Sequence, residues 1–202
     1  MVPGVLVLQG SSEPHLRTLE RLGHEPREVR TPLDLCAVTH LILPGGESTT
    51  IHHLLSLFGM WEALLERHRA GQLALFGTCA GAILLGRDDG TKPPRMELLD
   101  ARLERNAFGR QIDSFSADLE LECFPGREFH CVFIRAPRFR GIGGGARVLG
   151  RWNGEPILVE GNGLLAATFH PELTDDLRIH EYFLRMDPAD ASAGLRETAA
   201  LS

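Results

Sequence analysis

Apolar runs, each closed by a small-residue turn and followed by an amphipathic stretch, recur through the first half of the chain. Val5-Leu6-Val7-Leu8 ends at Gln9-Gly10, the form of a strand buried on both faces. Ser11 and Ser12 are placed to cap a helix, with Pro14 tolerated in its first turn. Leu16, Leu19 and Leu22 mark that helix's buried side, and Gly23 ends it. Residues 25–30 read as a short, more polar strand near a sheet edge. His40-Leu41-Ile42-Leu43 stops at Pro44-Gly45-Gly46, after which Ile51, Leu54, Leu55 and Phe58 recur at helical spacing. Trp61, Leu64 and Leu65 continue a second helical piece beyond Gly59. Leu73-Ala74-Leu75-Phe76, Gly77-Thr78-Cys79-Ala80-Gly81 and Ala82-Ile83-Leu84-Leu85 then read as strand, tight turn and helix. Such alternation means a parallel sheet with helices on both sides.

The pattern changes after residue 86. Residues 87–96 are polar and loop-like, and helical periodicity is scarce from 101 to 163. Candidate strands lie at 101–106, 118–123, 129–134, 146–152 and 156–160, several of them separated by Gly-Gly or Asn-Gly turns. Asn153-Gly154 is a hairpin signal. Residues 164–169 form another buried strand, ending at His170-Pro171-Glu172. Thr174 is placed to cap a last helix with Asp175 and Asp176 in its first turn, and Ile179, Tyr182, Phe183 and Met186 give its packing face. The expected fold is α/β, a single-domain three-layer sandwich. Its central sheet is mostly parallel, with helices on both faces and extra antiparallel strands in the second half. Residues 188–202 are Ala-rich and polar, the composition of a flexible tail.

Composition narrows the setting. At 202 residues and 43% apolar the chain suits one domain with a sizeable core. Its net charge of −6, without a long basic run, offers nothing to nucleic acid or an anionic membrane. Four scattered cysteines, Cys36, Cys79, Cys123 and Cys131, lack C-x-x-C spacing. That argues against a zinc site or a disulfide framework, so no metal and no cofactor are expected. The apolar N-terminus is too short for a signal peptide, and no run of about 18 apolar residues exists. A soluble protein of a reducing compartment, the cytoplasm, is the expectation.

The pentapeptide Gly77-Thr78-Cys79-Ala80-Gly81 carries the candidate chemistry. A nucleophile at the apex of such an elbow sits in strained backbone, and its flanking residues must be small so that strand and helix can approach. The side chain then stands above the sheet at a helix start, where thiolate is favoured over thiol. The plainer reading is a small buried cysteine that packs. Open parallel sheets place chemistry beyond the carboxyl ends of their strands. Four features fall there: Gln9-Gly10, the Gly45-Gly46-Glu47-Ser48 turn, Cys79 and His170-Pro171-Glu172. If they converge, His170 takes the proton of Cys79 and Glu172 orients the imidazole. The N–H groups of Ala80 and of the Gly45-Gly46 turn then supply an oxyanion hole. Each residue also has a bland reading. His-Pro reads equally as a chain turn, Glu172 as a solvated carboxylate and the glycines as loop punctuation. The Pro-Gly-Gly-Glu-Ser-Thr run lacks the lysine of a phosphate loop, and Arg105 and Arg135 could be halves of surface ion pairs.

These residues resemble the triad (class I) glutamine amidotransferases. Further blocks are similar to the glutaminase subunits of pyridoxal 5'-phosphate synthase. They are Leu8-Gln9-Gly10, residues 43–50, Glu104-Arg105-Asn106-Ala107-Phe108-Gly109-Arg110-Gln111, residues 132–137 and residues 169–174. Together they reach from the first strand to about Met186. The resemblance implies an amidotransferase domain over 1–187, with Cys79, His170 and Glu172 as catalytic triad. It also implies glutamine binding by Gly46, Glu47, Ser48, Arg105, Ile134 and Arg135, and an oxyanion hole from Gly46 and Ala80. Glutamine would yield glutamate and ammonia by way of a thioester. The ammonia would pass to a (β/α)8-barrel synthase subunit, which builds pyridoxal 5'-phosphate from a pentose phosphate and a triose phosphate within a large hetero-oligomer. Gln9 borders the oxyanion turn and is expected to link that turn to the partner. Departures from the family pattern lie at residues 11–15 and 138–147, away from these sites. A triad amidotransferase of another pathway, a binding module that kept the fold, and a cysteine hydrolase of another substrate are the alternatives. The blocks at 104–111 and 132–137 speak against the first, and retention of nucleophile, base and acid against the second.

Overall fold

The structure is a computed structural model that describes residues 1–105 and 114–191. The central sheet has seven strands. Five are parallel neighbours: β1 (Pro3–Leu6), β2 (Arg27–Val29), β3 (His40–Leu43), β4 (Ala74–Thr78) and β11 (Leu164–Ala167). β10 (Glu155–Gly161) and β9 (Arg147–Trp152) then add antiparallel, giving the order β2-β1-β3-β4-β11-β10-β9. The hairpin at Asn153-Gly154 joins β9 to β10, and both residues have positive φ as its turn requires. The edge strand β2 is the short polar one, with two of its three residues exposed.

Alternation along each strand sends side chains to two cores. Leu6, Leu41, Leu43, Leu75, Val159 and Leu164 face one cluster with Ile51, Leu55, Leu64 and Leu84. These come from the helices α3 (Ser48–Leu57), α4 (Met60–Arg69) and α5 (Ala80–Leu85). Val5, Ile42, Phe76, Leu158 and Leu165 face the other, with Leu16 and Leu19 of α1 (Ser12–Arg21) and Ile179 and Phe183 of α6 (Arg178–Leu184). β7 (Glu128–Ile134), paired antiparallel with β6 (Ser114–Glu120), adds Phe129 and Phe133 to this second core. Each fully buried phenylalanine contributes about 1.5–3 kcal/mol by burial. Among the described residues no helix is long and apolar enough to cross a membrane.

Several local expectations need correction. Ser11 stands at the N-cap of α1 but makes no side-chain cap bond. Thr174 does not cap the last helix: residues 171–173 form a single 3-10 turn, and α6 starts only at Arg178. Thr174 Oγ1 accepts instead from the Asp176 N–H, and the Asp176 carboxylate from the Arg178 N–H, a short polar relay into the helix. Two elements were not anticipated. α2 (Pro32–Cys36) starts with a capping box between Thr31 and Asp34 and with Pro32 in its first turn. β8 (Arg138–Ile142) pairs with β5 (Ala101–Glu104), and Phe139 anchors it. Residues 106–111 of the Asn-Ala-Phe-Gly-Arg-Gln block, and 192–202 of the tail, lie outside the described residues.

His15, His40, His68 and His180 are buried in this fold. Desolvation lowers the pKa of each, for His180 to about 3. Their folded pKa values lie below the unfolded one, so the unfolded chain binds protons that the folded chain refuses as pH falls below about 6.5. Each such group costs up to about 1.4 kcal/mol per pH unit in that window. His170 has the opposite sign, because its raised pKa gives stability below about 6.5 that is lost toward high pH. Urea unfolding should therefore show a lower midpoint at about pH 5.5 than at about pH 7.5, well before carboxylates titrate. Identical midpoints would mean that these imidazoles are hydrated.

Candidate active site

The elbow is built by two close approaches. Gly77 packs against the Gly81–Ala82 backbone, so that a Cβ there would lie 2.5–2.7 Å from those atoms, and Gly81 lies against the Leu43 carbonyl. Neither position has room for a larger residue. Between them Cys79 adopts φ 48° and ψ −102°, a conformation that L-residues rarely hold. The Cys79 N–H donates to the Ala167 carbonyl of β11 at 2.9 Å, and α5 begins at Ala80. The side chain is thereby raised over the carboxyl ends of β3, β4 and β11.

His170 follows β11 and is tied to β7 by its N–H, which donates to the Val132 carbonyl at 2.8 Å. Its Nδ1 lies 2.7 Å from Glu172 Oε1, and both residues are buried. Burial opposes charge on the ring. Hydrogen bonds to Cys79 and Glu172, with the charge of both, outweigh burial and raise the His170 pKa to about 10. Burial likewise opposes ionisation of Glu172, but His15 and the bond to His170 hold its pKa below the ordinary carboxylate value. An imidazole held between a thiol and a carboxylate can carry a proton away from the sulfur and remain charged while doing so.

One cavity of about 360 Å³ opens over this group, and Gln9, Gly46, Glu47, Ser48, Cys79, Ala80, Arg105, Ile134, Arg135 and His170 all line it. Glu172 sits behind His170 rather than in the wall. The sequence-predicted residues thus converge, joined by Ser11, Ile83 and Leu173, which sequence reading did not single out. Arg135 has φ 44°, so its backbone too is bent into a rarely used conformation at the rim. The Ile134 carbonyl lies 4.0 Å from Cys79 Sγ. Ser48 Oγ is buried and has no hydrogen-bond partner among the described residues.

The two charged residues expected at this site meet each other. Arg105 Nη2 donates to Glu47 Oε1 at 2.9 Å. The Glu47 carboxylate also accepts from the N–H groups of Thr49 (3.1 Å) and Thr50 (2.7 Å), capping α3. Although partial desolvation opposes ionisation, these bonds lower its pKa to about 2. Glu47 is therefore a helix cap as well as a wall of the cavity.

The glycine turn is gripped from β1. The Gly45 carbonyl accepts from the Ser11 N–H at 3.0 Å, and Gln9 Oε1 accepts from the Glu47 N–H at 3.1 Å. Gly10, at φ 107°, lies against the same Gly45 carbonyl. On its other side Gly45 abuts Cys79 and His170: a Cβ there would stand 2.6 Å from His170 Cε1 and 3.5 Å from Cys79 Cβ. Because a peptide's C=O and N–H point opposite ways, the bond to Ser11 also fixes the direction of the Gly46 N–H.

Sequence reading missed the polar group behind the triad. His15 Nδ1 lies 2.9 Å from His180 Nε2, and His15 Nε2 lies 3.3 Å from Thr78 Oγ1 and 3.5 Å from Glu172 Oε2. The signal was helical phase: His15 shares the face of Leu19, and His180 neighbours Ile179 on the buried side of α6.

The pattern of the SNO glutamine amidotransferase family matches residues 5–187. A relative from Thermus thermophilus, named pyridoxal 5'-phosphate synthase subunit PdxT, is 53% identical over 187 residues, 92% of this chain and 97% of the relative. A Deinococcus radiodurans protein of the same name is 48% identical over 190 residues, covering 91% and 96%. A crystal structure described as a glutamine amidotransferase superimposes with a TM-score of 0.86 at 50% identity, covering 91% of this chain and 97% of that one. PurLQS from Thermotoga maritima matches with a TM-score of 0.67 at 19% identity, a likeness of fold alone.

Proposed function

The chain belongs to the SNO glutamine amidotransferase family, and from that membership we propose that it is the glutaminase of a pyridoxal 5'-phosphate synthase. It hydrolyses L-glutamine and delivers the ammonia to a synthase subunit for vitamin B6 formation. The observation that carries the catalytic assignment is the single cavity into which Cys79 and His170 both open, with Glu172 bonded behind the ring.

In this reading the Cys79 thiolate attacks the side-chain carboxamide carbon of glutamine. The N–H groups of Ala80 and Gly46 receive the developing oxyanion. His170, held as imidazolium by Glu172, gives its proton to the leaving nitrogen, so ammonia departs and a glutamyl thioester remains. His170 then takes a proton from water, which adds to the thioester carbonyl. Collapse of that adduct returns the sulfur and releases glutamate. Gly46, Ser48, Ile134, Arg105 and Arg135 hold the amino acid's polar end, with guanidinium toward the α-carboxylate. The buried Ser48 hydroxyl, without a partner among the described residues, supports such a role. Glu47 contributes through its main chain and by presenting Arg105.

The partner is a (β/α)8-barrel subunit in a large hetero-oligomer, and the location is the cytoplasm. The free thiols Cys36, Cys79, Cys123 and Cys131 support that compartment. Residues 1–187 act as the amidotransferase domain and 188–202 as its tail. Gln9 links the partner to catalysis, because residues 9–11 grip both peptides of the glycine turn. Docking against that segment moves the turn into its productive orientation, and ammonia is then made only where it can be used.

Glutamine hydrolysis measured with and without the barrel subunit, alongside glutamine-dependent formation of pyridoxal 5'-phosphate in the mixture, tests this. Turnover should rise at least about tenfold with the partner, the effect of a coupling free energy of about 1.4 kcal/mol. Equal rates would remove the role of Gln9. Absence of both glutamate and pyridoxal 5'-phosphate would remove the function.

A further inference from the structure

Behind the triad lies an enclosed row of polar side chains, and among the described residues the second oxygen of Glu172, buried there, accepts no hydrogen bond. His15 and His180 have no exposed surface, and Glu172 and His170 are 5% and 6% exposed. The contacts run from His180 Nε2 to His15 Nδ1 (2.9 Å), from His15 Nε2 to Glu172 Oε2 (3.5 Å) and from Glu172 Oε1 to His170 Nδ1 (2.7 Å).

Counting donors decides which way the protons lie. Suppose His15 carried its proton on Nδ1, donating toward His180. His180 would then have to accept on Nε2 and bear its own proton on Nδ1. That Nδ1 is buried and has no hydrogen-bond partner among the described residues, so a donor would be stranded in the core. In addition, the His15 Nε2 lone pair would face the Glu172 carboxylate. The other tautomers strand no donor: what stays unpartnered among the described residues is a lone pair on His180 Nδ1 and the acceptor Glu172 Oε2. His180 Nε2–H donates to His15 Nδ1, and His15 Nε2–H is hydrogen-bonded to the Thr78 hydroxyl at 3.3 Å while lying 3.5 Å from Glu172 Oε2.

We propose that His15, backed by His180, is a positioning residue of the triad: a neutral N–H, held by Thr78, whose dipole faces the otherwise unpartnered second oxygen of Glu172 and keeps that carboxylate aimed at His170. The inference rests on the reading of Cys79, His170 and Glu172 as the triad. Neutrality is what makes the device useful. A cation in this place would cancel the carboxylate charge on which the His170 imidazolium depends. The titratable groups facing His15 are Glu172 and His170, from the segment after β11, and His180, from α6. Thr78 and Phe76 of β4 close the remaining side. Desolvation lowers the pKa of His15, and that of His180 to about 3, so both stay uncharged at neutral pH.

Two measurements test this, one of which needs no variant. Nitrogen-15 NMR of the histidine rings in the wild-type protein should show His15 and His180 both as Nε2–H tautomers. An Nδ1–H His15 overturns the proposal. The second measurement is glutamine hydrolysis with the barrel subunit present, after wild-type turnover has been verified. His15→Leu should lower kcat about tenfold to a hundredfold with KM within about twofold, the range for losing a polar group that orients a site residue from behind. The acid limb of its kcat–pH profile should move upward, because Glu172 is then easier to protonate. His15→Gln, which places an amide N–H near the Nε2 position, should recover most of the rate. Leu and Gln variants that are equally slow, with an unshifted acid limb, would reduce His15 to packing. Inactive wild-type protein would instead refute the glutaminase reading, while the NMR tautomers and the pH dependence of Cys79 alkylation in His15→Leu still decide the role of His15.

Discussion

Cys79→Gly should melt a few degrees above the wild type and turn over no measurable glutamine. The two effects have one cause. At φ 48° and ψ −102° the Cys79 backbone occupies a region that costs a residue with a Cβ about 1–3 kcal/mol. Glycine occupies it freely, at an unfolded-state cost of about 0.5–1 kcal/mol. The lost packing is small because the thiol faces the cavity. A net gain of about 1 kcal/mol should raise the Tm by about 2–4 °C in a chain of this size. The same substitution removes the only atom that can form the thioester, and losses of about 10⁴-fold or more follow loss of such a nucleophile. Calorimetry and a glutamate assay on one sample check both. A melting point several degrees lower would mean that the elbow is not strained. Surviving turnover would mean that the nucleophile is elsewhere.

Much of this arrangement was legible in the sequence because it depends on residues with few alternatives. Gly77 and Gly81 announce a strand–helix crossing that no larger side chain permits, and the short runs of β1, β3, β4 and β11 lack polar alternation, as strands covered on both faces do. The carboxyl-end rule then gathers Gln9, the Gly45-Gly46 turn, Cys79 and His170 without any knowledge of distances. Elsewhere the same reasoning had less to work with. β8 carries Arg138, Arg140 and Gly141 among five residues, and only Phe139 marks it as a strand, so its pairing with β5 is a tertiary choice. α2 is too short for a period to appear, although its Thr-Pro-x-Asp start was readable as a cap.

Polar residues on buried faces were the harder case. Periodicity assigns an apolar residue to the core but leaves a histidine at the same phase undecided between core, surface and site. His15 and His180 come from helices separated by 165 positions and meet only because α1 and α6 cover the same sheet face. Glu47 poses a related difficulty. Sequence alone offers its carboxylate to a ligand, whereas the α3 N-terminus and Arg105 already hold it.

Glu172→Gln should fold as the wild type does and lose about 10³–10⁴-fold in kcat, with KM changed only a few-fold. The carboxylate faces two imidazoles: one oxygen is hydrogen-bonded to His170 Nδ1 at 2.7 Å, and the other lies 3.5 Å from His15 Nε2. It can accept from both. An amide has one oxygen and one NH2, so whichever way it is turned it presents N–H groups to one of the rings. If the oxygen faces His170, His15 must give up its Nε2 proton and strand a donor on His180. If the nitrogen faces His170, that ring is driven to the tautomer with Nδ1 bare and Nε2–H toward the sulfur, unable to take the thiol proton. In either orientation the negative charge that supports the imidazolium is gone, so the His170 pKa must fall from its raised value toward or below the ordinary range. The pH dependence of Cys79 alkylation reads that fall without any turnover. Glu172→Asp keeps the charge but withdraws it by one methylene, and should lie between Gln and wild type in both measurements. A Gln variant with a tenth of wild-type kcat would show that the ring is held by something other than this carboxylate.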